Sequence, residues 1–269
     1  MPLASPLPPK ALIGMVHLRA LPGTPGAMLP IDEIVATAAA EARTLAEAGF
    51  DALIIENMHD RPYIHGRHGP ETVAVMARAA LAVRAAAPKL VMGVQVLSGG
   101  NREAMAVALA AGGAFIRCEN FVFSHVADEG LLALAEAGDL LRYRRQIGAE
   151  RIAVFADVKK KHASHAITAD VPIGDAAEGA EFFGADGVVV TGTSTGKPVH
   201  QEDLLAVARA TDLPLLVGSG VSPEGATTLL EHADGLIVGS WIKEDGHWAN
   251  PLDPSRCRGM ANAVRRARA

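Results

Sequence analysis

Cysteine and aromatic residues are scarce in this sequence. Its 269 residues include two cysteines, Cys118 and Cys257, which lie far apart and outside any Cys/His spacing typical of a zinc site. Aromatic residues form only 4% of the chain, whereas 49% is hydrophobic, so we expect an aliphatic core. This composition excludes a disulfide scaffold and a disordered or collagen-like chain, and it indicates a reducing compartment.

Long apolar runs and concentrated positive charge are also missing. The longest apolar stretch, residues 105–116, contains two glycines and is too short to span a bilayer. The N-terminal MPLASPLPPK lacks the basic and apolar regions of a secretory signal. The formal charge is -5, without the basic cluster that nucleic-acid binding normally uses. We therefore expect a cytoplasmic protein with no transmembrane segment and no nucleic-acid partner.

Short β-branched runs alternate with alanine-rich stretches of helical length, a pattern typical of buried parallel strands and crossover helices. We predict eight strands near 12–16, 52–56, 90–96, 115–118, 152–158, 187–191, 213–218 and 235–239. Helices are predicted at 34–48, 71–87, 102–111, 130–147, 174–183, 201–210, 223–231 and 255–266. Eight such units close into an α/β fold, the (β/α)8 or TIM barrel, which has no unpaired sheet edge. No linker divides the repeats, so we expect a single TIM-barrel domain over residues 1–269.

Local signals mark several helix ends. Asp32, Asn101 and Ser222 are predicted N-caps of the first, third and seventh helices. Glycines suited to left-handed conformations follow four helices, at Gly49, Gly112, Gly148 and Gly184.

Polar side chains follow the predicted strands at their carboxyl ends, where barrel enzymes carry their active sites. They are His17 after the first strand, Glu56 and Asn57 after the second, Gln95 on the third, Arg117 and Glu119 at the fourth, and Asp157 and Lys159 at the fifth. We expect these polar groups to converge at one mouth, where Arg117 and Asn57 would bind the substrate or its phosphate.

Glycine-rich loops near the end of the chain predict a phosphate site. The seventh strand runs into GSGVSPE and the eighth into VGSWIK, so backbone N–H groups there can approach an anion: Gly218, Ser219, Gly220, Gly239 and Ser240. The simpler interpretation is that these glycines only make tight turns. A TGTSTG loop after the sixth strand offers further donors, at Thr191, Gly192, Thr195 and Gly196.

The segment DVKKKHASH after the fifth strand carries candidate proton carriers. Asp157 can act as a general base or orient a neighbour, and a lysine of lowered pKa or His162 can move protons. The alternative is a solvated basic loop. His17 is either functional at the mouth or a hydrogen-bonded histidine at a strand end.

Metal binding has little support in the sequence. Glu56, His59 and Asp60 lie close together but lack a recognised ligand signature, and Asp157 by itself is only a candidate for a hard cation. We therefore predict no metal ligand and no cofactor, with a divalent cation as a minor alternative.

Segments along nearly the whole chain resemble the BtpA/SgcQ family of TIM-barrel proteins. They are IGMVHLRALPGTP, DALIIENMHDRPY, FIRCENF, LLRYRRQIGA, FADVKKKHASH, VVVTGTSTGKP, VGSGVSPE and ADGLIVGSWIKEDG. The resemblance implies a ribulose-phosphate-binding type of barrel and family-like positions at His17, Glu56, Asn57, Asp60, Arg117, Asp157, Lys161, His162, Thr191, Gly192, Thr195, Gly196, Gly218, Ser219, Gly220, Gly239 and Lys243. One departure follows the third strand, where Gln95 and the SGG of residues 98–100 replace an asparagine and an Arg-Asn-Asp-like turn.

The preferred hypothesis is a cytosolic enzyme acting on a phosphorylated sugar or sugar-derived metabolite, with isomerase or carbon–carbon lyase (aldolase) chemistry. Asp157 or Glu56 would remove a proton, and Lys161 or His162 would stabilise the enolate. A hydrolase of a phosphorylated sugar derivative or nucleoside is a close alternative. The resemblance also implies a different class, a non-catalytic assembly or regulatory factor of the kind linked to photosystem I biogenesis. The expected partner is a phosphorylated small molecule. The sequence leaves open whether the protein forms a homo-oligomer.

Overall fold

The computed structural model describes residues 3–66, 68–192 and 196–269. Its barrel strands are β1 (Ala11–His17), β2 (Ala52–Glu56), β3 (Val91–Gln95), β4 (Phe115–Cys118), β7 (Ala153–Val158), β9 (Gly187–Val190), β10 (Leu215–Val217) and β11 (Gly235–Val238). They pair in the order β1-β11-β10-β9-β7-β4-β3-β2 as a closed parallel barrel, because β1 pairs with both β2 and β11. The predicted (β/α)8 barrel and its strands are confirmed.

The helices pack outside this barrel. They are α1 (Ile31–Ala48), α2 (Pro70–Ala86), α3 (Asn101–Ala111), α4 (Ala137–Gln146), α5 (Ile173–Phe182), α6 (Gln201–Ala210), α7 (Ala226–Leu229) and α8 (Pro254–Arg268), with 3-10 turns at Ala166–Thr168, Ser240–Ile242 and Glu244–Gly246. Among the described residues, we find no helix with the length and apolar character needed to cross a membrane.

The helix C-termini follow the sequence prediction better than the N-termini do. The four predicted glycines have positive φ angles, which relieve the steric penalty that a side chain would bring. The predicted N-cap Asp32 is wrong, since the residue before α1 is Pro30 and Asp32 pairs with Arg78. Asn101 also differs from its prediction, because it is the first residue of α3 and Gly100 precedes it.

The predicted helix 130–147 is wrong over its first part. Residues of β5 (His125–Ala127) and β6 (Gly130–Leu132) form an antiparallel hairpin, and β8 (Ala163–Ser164) pairs with β5. Gly130 has a φ of 110°, which ends any helix there, and Val126 faces Leu131 across the hairpin. The seventh helix is also shorter than predicted, because residues 223–225 form a turn and Ser222 does not cap it.

Two apolar layers hold the barrel together. The larger lies between strands and helices, and the smaller fills the barrel interior, where Phe115 and Phe155 meet edge to face with centroids 5.4 Å apart. Their cross-strand partners are Gly93 and Gly187, where an added Cβ would lie 2.3 Å from the ring. Glycine at these strand positions therefore makes room for the two rings that close the floor under the site.

Candidate active site

A cavity of about 490 Å³ opens at the carboxyl ends of the barrel strands, which is a size typical of small-molecule sites. Residues that the sequence predicted for catalysis or phosphate binding line much of its wall. These are His17, Glu56, Arg117, Lys161, His162, Gly196, Gly218, Ser219, Gly220, Gly239 and Ser240. The fold therefore brings the candidate proton carriers and the glycine loops into one cavity.

Glu56 and His17 form a buried pair at the ends of β2 and β1. The Nε2 atom of His17 lies 3.5 Å from Oε2 of Glu56, and Nδ1 lies 3.1 Å from the carbonyl oxygen of Trp248. Since a carbonyl only accepts, Nδ1 carries the proton and neutral His17 presents a lone pair at Nε2. Burial raises the pKa of Glu56 even though Arg117 opposes it, while burial and Lys243 lower the pKa of His17 well below its ordinary value. One proton can therefore be held between the two side chains.

Arg117 is held by Asp157 in a two-bond contact. Its Nε and Nη2 atoms donate to Oδ1 and Oδ2 of Asp157 at 2.8 and 2.9 Å, and both side chains are buried. Although burial opposes the charge, Asp157 raises the pKa of Arg117 above its ordinary value. Asp157 does not line the large cavity, whereas Arg117 does. This contact indicates an anchoring role for Asp157 in place of the base role that the sequence suggested.

The loop after β7 presents Lys161 to the cavity. The hydroxyl oxygen of Thr191 accepts a hydrogen bond from the backbone N–H of Lys161 at 3.0 Å, which fixes the loop beside β9. Burial and the nearby Arg117 lower the pKa of Lys161. His162 follows with a φ of 55°, and partial burial of its ring together with the nearby Lys161 lowers its pKa. A lysine of lowered pKa in a cavity is a typical proton carrier.

Lys160, the neighbouring lysine, has a different environment that the sequence did not distinguish. Its Nζ atom lies 3.1 Å from Oε1 of Glu119, whose other oxygen accepts from the N–H of Gly99 at 3.0 Å and the hydroxyl of Ser98 at 3.3 Å. Burial disfavours both charges, but Lys160 lowers the pKa of Glu119 and Glu119 raises that of Lys160. The pair is a fixed, charged wall of the cavity.

Asn57 does not line the cavity, contrary to its predicted role in ligand binding. Its amide nitrogen donates to Asp60 at 2.9 Å and to the carbonyl of Leu97 at 3.1 Å, and its oxygen accepts from the N–H of Leu97 at 2.7 Å. Asp60 in turn accepts from the N–H of Leu21 at 2.8 Å. Asn57 and Asp60 therefore join the loops that follow β1, β2 and β3.

Three further family-like positions also have supporting contacts. Lys243 lies 2.9 Å from Glu41 of α1 in a buried ion pair outside the cavity wall. Thr191 and Gly192 do not line the cavity, and an added Cβ at Gly192 would lie 2.2 Å from the carbonyl oxygen of Lys197. The contacts of Lys243 and Thr191 therefore support the elements around the site, and Gly192 allows the close approach of the Lys197 carbonyl. Thr195, predicted to bind the ligand, lies outside the described residues.

The two glycine loops after β10 and β11 form the candidate phosphate cradle. Gly220 has a φ of 66°, and an added Cβ would lie 2.3 Å from the backbone of Pro198, so only glycine fits. At Gly239 the φ is -111°, and an added Cβ would lie 3.4 Å from Met15 and 3.6 Å from His17. Gly239 therefore tolerates a methyl group, but that group would stand at the cavity wall.

Several cavity residues were missed by sequence reasoning. The loop after β11 brings Trp248 over the mouth, where the guanidinium of Arg61 stacks 4.6 Å from its ring centre and His59 lies 5.0 Å away. Trp241 and Tyr63 also line the cavity. One signal was available: the chain has two tryptophans, and both are at this site.

Within the described residues, no three histidine, cysteine, aspartate or glutamate side chains are grouped so as to hold a metal ion. The candidates Glu56 and Asp60 have separate partners in His17 and Asn57.

The sequence of this barrel matches the model of the BtpA family over residues 8–266. The chain belongs to the BtpA family. It is 45% identical over 249 residues to a mitochondrial protein of Caenorhabditis elegans, covering 91% of this chain and 89% of that one. It is 33% identical over 256 residues to the photosystem I biogenesis protein BtpA of Synechocystis, covering 94% of this chain and 87% of that one.

Solved structures share the fold of this BtpA family member at low sequence identity. (S)-3-O-geranylgeranylglyceryl phosphate synthase of Thermoplasma acidophilum, in complex with sn-glycerol-1-phosphate, matches with a TM-score of 0.59, 16% identity and coverage of 96% and 94% of the two chains. Thiamine phosphate pyrophosphorylase of Pyrococcus furiosus matches with a TM-score of 0.58, 13% identity and coverage of 97% of each. At such identities the likeness shows the barrel fold alone.

Proposed function

We propose that this protein is an enzyme that removes a proton from a phosphorylated sugar or sugar-derived metabolite, in an isomerase or carbon–carbon lyase reaction. The observation that carries the proposal is the shared cavity, which holds the glycine loops and the Glu56–His17 pair beside Lys161. Phosphate sites of barrel enzymes commonly lie at the loops after the seventh and eighth strands, here β10 and β11. The fold-related enzymes named for phosphate compounds support the same substrate class.

In this mechanism Glu56 is the general base. Its ionised carboxylate takes a proton from a carbon next to a carbonyl group, and His17 Nε2, 3.5 Å away, shares that proton. The ammonium of Lys161 and the guanidinium of Arg117 stabilise the enolate oxygen, with Asp157 keeping Arg117 in position. Isomerisation follows when the proton returns to the adjacent carbon and the hydroxyl proton passes from one enediol oxygen to the other. Addition of the enolate to an aldehyde, with protonation of the alkoxide that forms, or the reverse cleavage, is aldolase chemistry.

The phosphate cradle can be tested with Gly239→Ala. We expect the Kd for inorganic phosphate and for ribose 5-phosphate to rise about tenfold or more, because the methyl group blocks approach to backbone donors and a hydrogen bond to a charged group is worth about 1.5–3 kcal/mol. Thermal shift measures this, since a ligand that binds only the native state raises its stability.

Gly225→Ala is the matched control, because it lies just beyond the first glycine loop in a helical backbone conformation, and the nearest neighbour of an added Cβ is 4.0 Å away. Its phosphate affinity should equal that of the unmodified protein. If phosphate and ribose 5-phosphate raise the melting temperature of neither the unmodified protein nor this control, the proposed function is wrong.

The pH dependence of kcat/KM should be bell-shaped. Glu56 must be ionised and its pKa is raised, so the acidic limb is expected above the ordinary range of a glutamate. Lys161 must be protonated and its pKa is lowered, so the alkaline limb is expected below the ordinary range of a lysine. In Lys161→Arg the alkaline limb should move above the pH range of the measurement, because arginine stays protonated throughout it. An unchanged alkaline limb in this variant would assign it to another group.

A second candidate function comes from the relative in Synechocystis, which is named for photosystem I biogenesis. An assembly factor would need no proton transfer. Absence of phosphate binding together with a stable complex with a membrane-protein partner would favour this candidate over an enzyme.

A further inference from the structure

A second polar wall of the cavity has no role in the proposed reaction. It is formed by the turn of the β5–β6 hairpin, where Glu129 lines the cavity with a side chain only 7% exposed. Among the described residues, its Oε2 atom has no hydrogen-bond partner, and Nζ of Lys160 is 4.0 Å away. A buried carboxylate oxygen without a donor is costly, so this atom is suited to accept a hydrogen bond from a ligand.

The hairpin lies across the mouth from the phosphate cradle. It follows β4, which is four positions from β11 and three from β10 around the eight-stranded barrel. Glu56 on β2 and Lys161 after β7 belong to strands on the two paths between them. A ligand anchored by phosphate at Gly239 therefore extends past the proton carriers toward Glu129.

We propose that Glu129 is the acceptor of a distal subsite that binds the hydroxyl groups of a polyhydroxylated phosphate ester. The inference rests on the proposed function, since it takes the phosphate end as the anchor. It narrows the substrate class to phosphate monoesters that carry hydroxyl donors at the end opposite the phosphate.

The charges around Glu129 favour a neutral hydroxyl over an ammonium group. Lys160 already lies between Glu119 and Glu129, at 3.1 and 4.0 Å, so a second ammonium would be repelled at short range. Among the described lining residues, carboxylates and cations are equal in number: Glu56, Glu119, Asp128 and Glu129 against Arg61, Arg117, Lys160 and Lys161. A hydroxyl group supplies the missing donor without changing this balance.

The test compares three six-carbon phosphate monoesters by calorimetry: sorbitol 6-phosphate, n-hexyl phosphate and 6-aminohexyl phosphate. The unmodified protein should bind the sorbitol ester most tightly. Glu129→Ala should raise the Kd of sorbitol 6-phosphate by about ten- to a hundredfold, the usual effect of losing a hydrogen bond to a charged group. The Kd of n-hexyl phosphate should stay unchanged. Glu129→Gln keeps an acceptor oxygen, so its affinity for sorbitol 6-phosphate should fall less than that of Glu129→Ala.

Glu47→Ala is the matched control, because Glu47 is an exposed carboxylate on α1 outside the cavity. Its affinity for sorbitol 6-phosphate should change less than about threefold, as screening by solvent weakens exposed charges. Equal affinity for the sorbitol and hexyl esters, or tightest binding of the aminohexyl ester, would overturn the hydroxyl subsite while leaving the phosphate cradle intact. Failure of all three esters and of inorganic phosphate to bind the unmodified protein would overturn both proposals.

Discussion

Glu56→Gln is expected to lower the rate of proton abstraction by at least about a hundredfold, the lower range for loss of a general base. Glutamine keeps the shape of the side chain but cannot accept the proton, while the glycine loops that hold the phosphate are untouched. The Kd for a phosphate monoester should therefore stay within about threefold. Exchange of substrate C–H for deuterium from solvent, followed by NMR over a panel of ketose and aldose phosphates, measures this step without a known product.

Glu47→Gln is the control for this experiment, because Glu47 is exposed on α1 outside the cavity. It should exchange deuterium at the rate of the unmodified protein. Full exchange activity in Glu56→Gln would exclude Glu56 as the base and return attention to Asp157, the other carboxylate that the sequence predicted.

Asp157→Asn is expected to lower the free energy of unfolding by about 3–5 kcal/mol, the usual cost of removing one partner of a buried ion pair. The substitution leaves the guanidinium of Arg117 without its counter-ion. This loss is costly because both side chains are shielded from water, which therefore cannot solvate the unpaired charge. Urea denaturation measures the loss. The double variant Asp157→Asn with Arg117→Met should recover most of the stability, because no unpaired charge remains.

Asp32→Asn provides the comparison for stability, since Asp32 pairs with Arg78 at the exposed surface. Its effect should stay below about 1 kcal/mol. If Asp157→Asn were equally mild, Asp157 would not be the required anchor of Arg117, and its assignment as a base would regain support.

The barrel could be predicted because its signals are local. Each strand is a short β-branched run buried on both faces, and each crossover helix is long and rich in alanine, so the two periods are distinct along the chain. The prediction of a helix over residues 130–147 was wrong in its first part because the local signal there is misleading. The leucines and alanines of this segment favour a helix locally, but Gly130 turns the chain and the pairing of Val126 with Leu131 stabilises a hairpin instead.

Several residues of the cavity could be predicted from the sequence, because the carboxyl ends of parallel strands meet at one edge of the barrel. The sequence therefore predicted the glycine loops, Glu56, His17 and Lys161 correctly as neighbours of one cavity. The role of each residue could not be assigned from the sequence, since burial and pairing are set by residues distant in the chain.

Contacts across the closed barrel, which the sequence does not show, pair Arg117 with Asp157, 40 residues away, and turn Asn57 toward the neighbouring loops in place of a ligand. The same contacts select Lys160, of the two adjacent lysines, as the partner of Glu119. Side-chain roles of this kind depend on desolvation and on distances of a few ångströms between strands, and those quantities exist only once the barrel has closed.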